Sequence, residues 1–363
     1  MRKLLSRNEK GLPRVGSILF AALFLALVSV SLTTVELNNA TTEIHTLGDA
    51  PRLTVTQASP AAALQQTTQI VQHQDIQPAR QNVTFLLANR TYVYWYHASP
   101  PKPTTQAHFL VGVTSYACQK AQRDAIRKTW GSTNSSFPIR VVFIVANAIV
   151  TPKRRRRKQG ICDAMITLEE EFDANRDLIW VQINENYRKG LTPKTISFFD
   201  YAVRIGTSGY TFKTDDDVYP DLKRFKRELE ELSVNLSVPV QYYGVHGRKW
   251  PIRPGTGGRE YKKNEVSLNE WPEELYPDYA RGPGYAVHAS ILPCALREVA
   301  TRTFFPMEDV NTGILMRACN ASLPENNLSL GEHAKGKMYQ KISLVHHVPV
   351  EALPYIYKQL PVP

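Results

Sequence analysis

From residue 108 onward, short apolar runs alternate with longer stretches in which apolar residues recur at helical spacing. Residues 108–115 (HFLVGVTS), 140–147 (RVVFIVAN) and 177–183 (DLIWVQI) are continuous apolar runs of strand length, as expected of strands buried on both faces. Residues 119–130 and 162–173 read as helices, the second with Glu169, Glu170 and Glu171 clustered on it. Thr192 and Pro193 predict a helix start, Thr as the cap and Pro in the first helical position. Ile196, Phe199 and Val203 follow at helical spacing, and Gly206 sits near the end. A strand is expected over 211–214, a helix from near Asp221, a strand at 285–288, a helix after Asp309 and a short strand in KISLV at 341–345. Strands alternating with helices over short connections predict an α/β domain, a mostly parallel sheet between helical layers. Ligands of such sheets bind beyond the C-terminal ends of the strands.

The N-terminal part follows a different pattern. Residues 1–14 carry Arg2, Lys3, Arg7, Lys10 and Arg14 against the single acid Glu9, and residues 15–35 contain no charge. An apolar run of that length makes a helix of about 30 Å, one hydrocarbon core. The basic flank precedes it, so the expected topology is a cytosolic tail at 1–14, an uncleaved signal-anchor at 15–35 and a lumenal remainder. A cleaved signal peptide is the rival, but the run is long for one and lacks a clear small-x-small site. Residues 36–106 are assigned to a lumenal stem rich in Thr, Gln, Ala and Pro, and residues 107–363 to the α/β domain. Within the stem, residues 83–97 are more apolar and are expected to pack on the domain as a strand or ridge. Seven N-x-S/T sequons follow the span, at Asn39, Asn82, Asn89, Asn134, Asn235, Asn320 and Asn327, in agreement with a lumenal chain.

Net charge is +11, with much of the excess at the N-terminus and in residues 153–158 (KRRRRK), a solvated loop. With no zinc-finger spacing and no aromatic-basic RNA-binding signature, nucleic acid is not an expected partner. Cys118, Cys162, Cys294 and Cys319 form no C-x-x-C pair, which argues against zinc. Two disulfides are possible in an oxidising compartment, with three connectivities open.

Candidate chemistry centres on residues 211–219, where an apolar strand runs into Asp215, Asp216 and Asp217. Three adjacent carboxylates repel one another unless a cation compensates them, and hard divalent cations shared with a phosphate take such oxygens. The alternative is a solvated acidic turn capping the next helix. Arg281-Gly282-Pro283-Gly284-Tyr285 places two glycines where backbone can approach a ligand, or else forms an ordinary turn. Glu308-Asp309-Val310 puts two acids at a helix start, which the helix dipole alone would favour. Of His346 and His347, one is a candidate metal ligand.

Taken together, these pieces resemble the β-1,3-galactosyltransferase family (glycosyltransferase family 31), which includes β-1,3-N-acetylglucosaminyltransferases and, more distantly, the Fringe and core 1 enzymes. The residues that carry the resemblance are Arg123-x-x-Ile126-Arg127-x-Thr129-Trp130-Gly131, then Phe212-Lys213-Thr214-Asp215-Asp216-Asp217-Val218. Tyr276-Pro277-x-Tyr279-x-x-Gly282-x-Gly284-Tyr285 and Glu308-Asp309-Val310-x-x-Gly313 follow in the family's order. Residues 189–195 match the family's Asn-Leu-Thr-x-Lys-Thr only loosely, and the basic run at 153–158 is not a family hallmark. The resemblance implies a GT-A (Rossmann-like) domain in the Golgi lumen that moves a hexose, most often galactose, from a UDP-sugar to the 3-hydroxyl of an acceptor glycan with inversion. It implies Mn²⁺ or Mg²⁺ held by Asp217 and His346 (or His347), with Asp215 on the metal or nucleotide-sugar side. It further implies Arg123, Arg127, Lys213 and Asp216 on the donor side, and a sugar pocket lined by Gly282, Gly284 and Tyr285. Asp309 matches the catalytic base, with Glu308 beside it. Transfer of N-acetylglucosamine or N-acetylgalactosamine is the near alternative. An inactive lectin-like or chaperone-like Golgi membrane protein is the alternative of another class, against which the intact Asp215, Asp217 and Asp309 argue.

Overall fold

A computed structural model describes residues 80–98, 109–132, 139–147, 164–256, 259–326, 328–333 and 342–360. Its centre is a parallel sheet of four strands: β3 (Phe109–Thr114), β4 (Ile139–Asn147), β5 (Leu178–Asn184) and β6 (Tyr210–Asp215), in the order β5-β4-β3-β6. The flanks are antiparallel. The hairpin of β1 (Arg80–Leu87) and β2 (Arg90–His97) extends one edge through β2 against β5. At the other edge lie β9 (Ala280–His288) and β8 (Tyr242–His246). The expected domain boundary at residue 107 therefore falls inside the fold, because residues 80–97, assigned to the stem, complete the large sheet.

Alternation along the strands builds two cores. In β3, Phe109, Val111 and Val113 face one way, toward α1 (Lys120–Arg127), α2 (Ala164–Asn175), α4 (Leu222–Leu236) and α7 (Leu353–Gln359). Leu110 faces the other, with Val142, Ile144 and Val287, toward α3 (Tyr187–Arg204), α5 (Leu292–Thr301) and α6 (Glu308–Ala318). Both sheet faces are thus dry, which is why the central strands read as unbroken apolar runs. Gly112 in β3 has no room for a side chain: a Cβ there would meet the Phe198 ring of α3 at 2.7 Å.

The structure moves the start of α3. The expected cap at Thr192 lies inside the helix, and Asn186 caps it instead, its side-chain oxygen accepting from Arg188 N at 3.0 Å and Lys189 N at 2.9 Å. Pro193 therefore sits in the second turn, where it costs one backbone hydrogen bond. α4 begins where expected, capped by Asp221. A disulfide between Cys294 and Cys319 ties α5 to the end of α6, and Cys118 is disulfide-bonded as well. A second sheet, β10 (Leu330–Glu332), β11 (Leu344–His346) and β7 (Tyr219–Pro220), lies beyond the end of β6. Among the described residues no helix is long and apolar enough to cross a membrane; residues 15–35 lie outside them.

Candidate active site

β6 ends between β3 and β9, so its last residues emerge where the parallel strands stop. Here the three aspartates separate. Asp215 is tied to Thr114 Oγ1 and, at 2.8 Å, to Lys213 Nζ. Asp216 turns inward to the Ser115 hydroxyl at 2.7 Å, and burial pushes its carboxyl up to about 6. Asp217 turns outward. Its carboxyl is raised as well, mainly by burial and then by the nearby Asp215.

What Asp217 faces is set by the small sheet. β11 pairs antiparallel with β7, and Val348 N donates to Asp217 O at 2.8 Å, which brings His346 alongside. Adjacent residues of a strand normally point to opposite faces. At His347 the backbone turns left-handed, φ 57°, and the two imidazoles stack with centroids 3.8 Å apart. Ligand atoms of Asp217, His346 and His347 lie within 4.8 Å of one another. His346 Nε2 is 3.6 Å from Asp217, and Glu332 contacts His347 Nδ1 at 2.6 Å. One carboxylate and two imidazoles, with a further carboxylate behind them, fit a divalent cation such as Mn²⁺. Both histidines join the group. Asp215, expected as a metal ligand, does not, because its carboxylate is committed to Thr114 and Lys213.

The facing wall is the start of α6. Asp309 accepts from Gly282 N at 3.2 Å and from its neighbour Val310 N at 2.9 Å, one bond to each oxygen. Burial, then the charge of Glu308, push its carboxyl up to about 6. Glu308 points inward to the Tyr285 hydroxyl, to Thr195 Oγ1 at 3.0 Å and to Lys213 at 3.2 Å. Lys213 is buried, yet Asp215 and Glu308 outweigh the cost of burial and raise its pKa. A second buried lysine, Lys194, bonds both oxygens of Glu185 at 2.6 and 2.7 Å and the carbonyl of Ser115 at 3.0 Å. An open cleft of about 530 Å³ joins the two walls, its rim carrying Tyr187, Lys263, Asn264 and Arg281.

Several expected donor-side residues sit elsewhere. Arg123 is fully buried. Its guanidinium grips Glu171 in a fork and holds Ser115 Oγ, Tyr116 O and Ala117 O, leaving nothing for a nucleotide. Arg127 is bound to Asp177 and Glu171. Arg123 stiffens the loop after β3 and reaches Asp216 only through Ser115, while Arg127 ties α1 to α2 and to the start of β5. Gly284 and Tyr285 pack rather than line: a Cβ on Gly284 would meet Leu344 at 2.8 Å, and the Tyr285 ring is buried against Tyr242. Of the three residues expected to line a sugar pocket, Gly282 borders the cleft, between Arg281 and Pro283, its backbone bridging Asp309 and Lys213. Sequence reasoning missed Glu185, Tyr187, Lys263 and Glu332; Lys194 is the lysine of the loosely matching 189–195 motif. Glu185 directly follows β5, so the strand-end rule that singles out Asp215 would have found it.

An α/β domain that gathers carboxylates and imidazoles around a cleft beyond its strand ends is built as an enzyme domain for a polar, charged substrate. The chain belongs to the galactosyltransferase family, whose sequence profile matches residues 121–327. It is 29% identical over 230 residues to hydroxyproline O-galactosyltransferase GALT2 of Arabidopsis thaliana, covering 62% of this chain and 30% of that protein. It is 28% identical over 225 residues to beta-1,3-galactosyltransferase 4 of Mus musculus, covering 54% and 56%. To human UDP-GalNAc:beta-1,3-N-acetylgalactosaminyltransferase 2 it is 28% identical over 166 residues, covering 46% and 31%. The chain thus spans between under a third and just over half of these relatives' lengths. Among solved structures, galactosyltransferase LgtC with donor and acceptor sugar analogs superposes with a TM-score of 0.31 at 8% identity, over 70% of this chain and 96% of that one. So loose a likeness adds nothing to the family assignment.

Proposed function

We propose that this chain is an inverting, metal-dependent GT-A glycosyltransferase. It would move galactose from UDP-galactose to the 3-hydroxyl of an acceptor glycan, forming a β-1,3 linkage. The observation that carries the reading is the pairing, across one cleft, of the Asp217–His346–His347 group with an Asp309 carboxylate held by two backbone amides. A divalent cation, when bound there, neutralises charge on the departing diphosphate.

The chain's own residues supply the rest. Asp309 takes the proton of the acceptor hydroxyl while that oxygen bonds to the anomeric carbon, and the bond from that carbon to the diphosphate oxygen breaks. A carboxyl raised to about 6 is ionised at neutral pH and a better base than an ordinary aspartate. The Gly282 and Val310 amides fix the direction of its lone pairs. Glu308, bound to Lys213, Thr195 and Tyr285, anchors the start of α6 and with it the base. One displacement by one base gives inversion, and no second nucleophilic carboxylate is needed. For the cellular setting, we propose a single-pass Golgi protein with its catalytic domain lumenal. Asn82, Asn89, Asn235 and Asn320, the sequon asparagines among the described residues, are all exposed, which supports that side of the membrane.

N-acetylgalactosamine is the second donor to consider, since one relative is named for its transfer. Full-length chain supplied with Mn²⁺ and a panel of UDP-sugars is the test. UDP release and a β-linked product with UDP-galactose are expected. Turnover with a different donor would move the assignment within the family, and an α-linked product would end the single-displacement reading.

A further inference from the structure

Four lysine or arginine side chains line the cleft: Lys194, Lys213, Lys263 and Arg281. The first two are buried and committed, Lys194 to Glu185 and Lys213 to Asp215 and Glu308. The other two are exposed, and among the described residues neither makes an ion pair, although the same cleft holds Asp217, Asp309 and Glu332. They lie on the base's side. Arg281 precedes Gly282, whose amide holds Asp309. Lys263 Nζ rests over the Tyr187 ring, 4.6 Å from its centroid, and the Tyr187 hydroxyl donates to Asn264 at 3.2 Å. Tyr187 opens α3, whose Thr195 hydroxyl bonds Glu308, the neighbour of the base. The imidazole group, where a diphosphate would be neutralised, belongs to the other wall.

We propose that Arg281 and Lys263 form an anion subsite for the acceptor, selecting glycans that carry a carboxylate or sulfate close to the hydroxyl being glycosylated. The proposal rests on the assignment of Asp309 as the base. A guanidinium fork suits either oxyanion, and a lysine held on an aromatic face adds a second, less directional charge. At an exposed site, one charged hydrogen bond is worth about tenfold in affinity.

Three acceptors separate the possibilities with full-length chain, UDP-galactose and Mn²⁺: methyl β-galactoside, its 6-sulfate and the corresponding galacturonate. For each, kcat/KM is measured together with calorimetric binding in the presence of UDP and Mn²⁺. One charged acceptor is expected to exceed the neutral one about tenfold, and which of the two leads identifies the oxyanion. In Arg281→Gln and Lys263→Gln that ratio should fall toward one while the KM for UDP-galactose stays within about twofold. Equal handling of all three acceptors by the unaltered chain would overturn the subsite. So would variants that raise the donor KM and keep the ratio, since the cations would then serve the diphosphate. If no acceptor is glycosylated yet binding still shows the Arg281-dependent preference, the transferase reading fails and the subsite stands. If binding shows no preference, the subsite fails whatever the turnover.

Discussion

Asp215–Asp217 at the end of β6 and Glu308–Asp309 at the start of α6 are both runs of adjacent acids, and each run divides its labour. In each, one carboxylate is held by the same buried Lys213, at 2.8 Å from Asp215 and 3.2 Å from Glu308. The partner carboxylate is left facing the cleft. There the runs differ. Asp217 meets two imidazoles, the surroundings of a metal ligand, while Asp309 meets two backbone amides and stays protonatable near neutrality. Neighbouring acids in sequence are therefore no guide to shared function; the groups opposite each oxygen decide it.

The largest effect that would test this contrast is removal of the outward acid at the first run. Asp217→Ala should leave no measurable turnover and weaken binding of Mn²⁺ with UDP, because the imidazoles lose their anionic partner. Calorimetry with the metal and nucleotide checks it, and EDTA followed by Mn²⁺ should abolish and restore the activity of the unaltered chain. Metal-independent turnover would erase the distinction between the two runs.

At the second run, Asp309→Asn should lose about 10²–10⁴-fold in kcat with UDP–Mn²⁺ affinity unchanged, the range expected of a lost general base. Glu308→Gln should be milder in kcat but lower the melting temperature, since Lys213 loses its buried counter-charge and keeps only the part-exposed Asp215. A dead Glu308→Gln beside an active Asp309→Asn would reverse the roles assigned to the pair.

The pH profile sharpens the contrast further. Asp309 works only ionised and its carboxyl is raised to about 6, so kcat/KM should be level above pH 7. Below pH 6 it should fall about tenfold per unit as the base protonates. At saturating Mn²⁺ that acidic limb should vanish in Asp309→Asn. A limb that persists there belongs to another group.

The smallest effect on catalysis is expected at Arg123. Arg123→Met breaks a buried pair and should destabilise the fold by about 3–5 kcal/mol, with little change in donor KM for the molecules that remain folded. Chemical denaturation and donor kinetics together check it. A donor KM raised tenfold at unchanged stability would return Arg123 to the nucleotide.

The sheet and its helical layers were largely legible, because strands covered on both faces must be apolar throughout and their lengths show in the chain. Asp215–Asp217 and Glu308–Asp309 were legible as acids at element ends. The direction each side chain takes was not. Arg123 looks inward because Glu171, far off in sequence, offers a fork-shaped partner behind the loop. Gly284 is small because Leu344 and Phe212 occupy the space beside it, not to admit a ligand. The start of α3 was missed because the Asn186 side chain caps the helix ahead of the more conspicuous Thr192-Pro193. The cap is a local contact that a second candidate start obscured, whereas the surroundings of Arg123 and Gly284 depend on what distant segments bring.

The pairing of β11 with β7 has a consequence for how the protein is made. A chain synthesised from its N-terminus places the three aspartates, the base and most of both cores long before His346 exists. Tyr219, the first residue of β7, donates its hydroxyl to Leu360 O, so the segment that brings in the imidazoles is clamped from beyond them as well. Under the proposed function, the cation side is therefore completed last, when the three-residue β11 docks on β7 and carries His346 and His347 to Asp217.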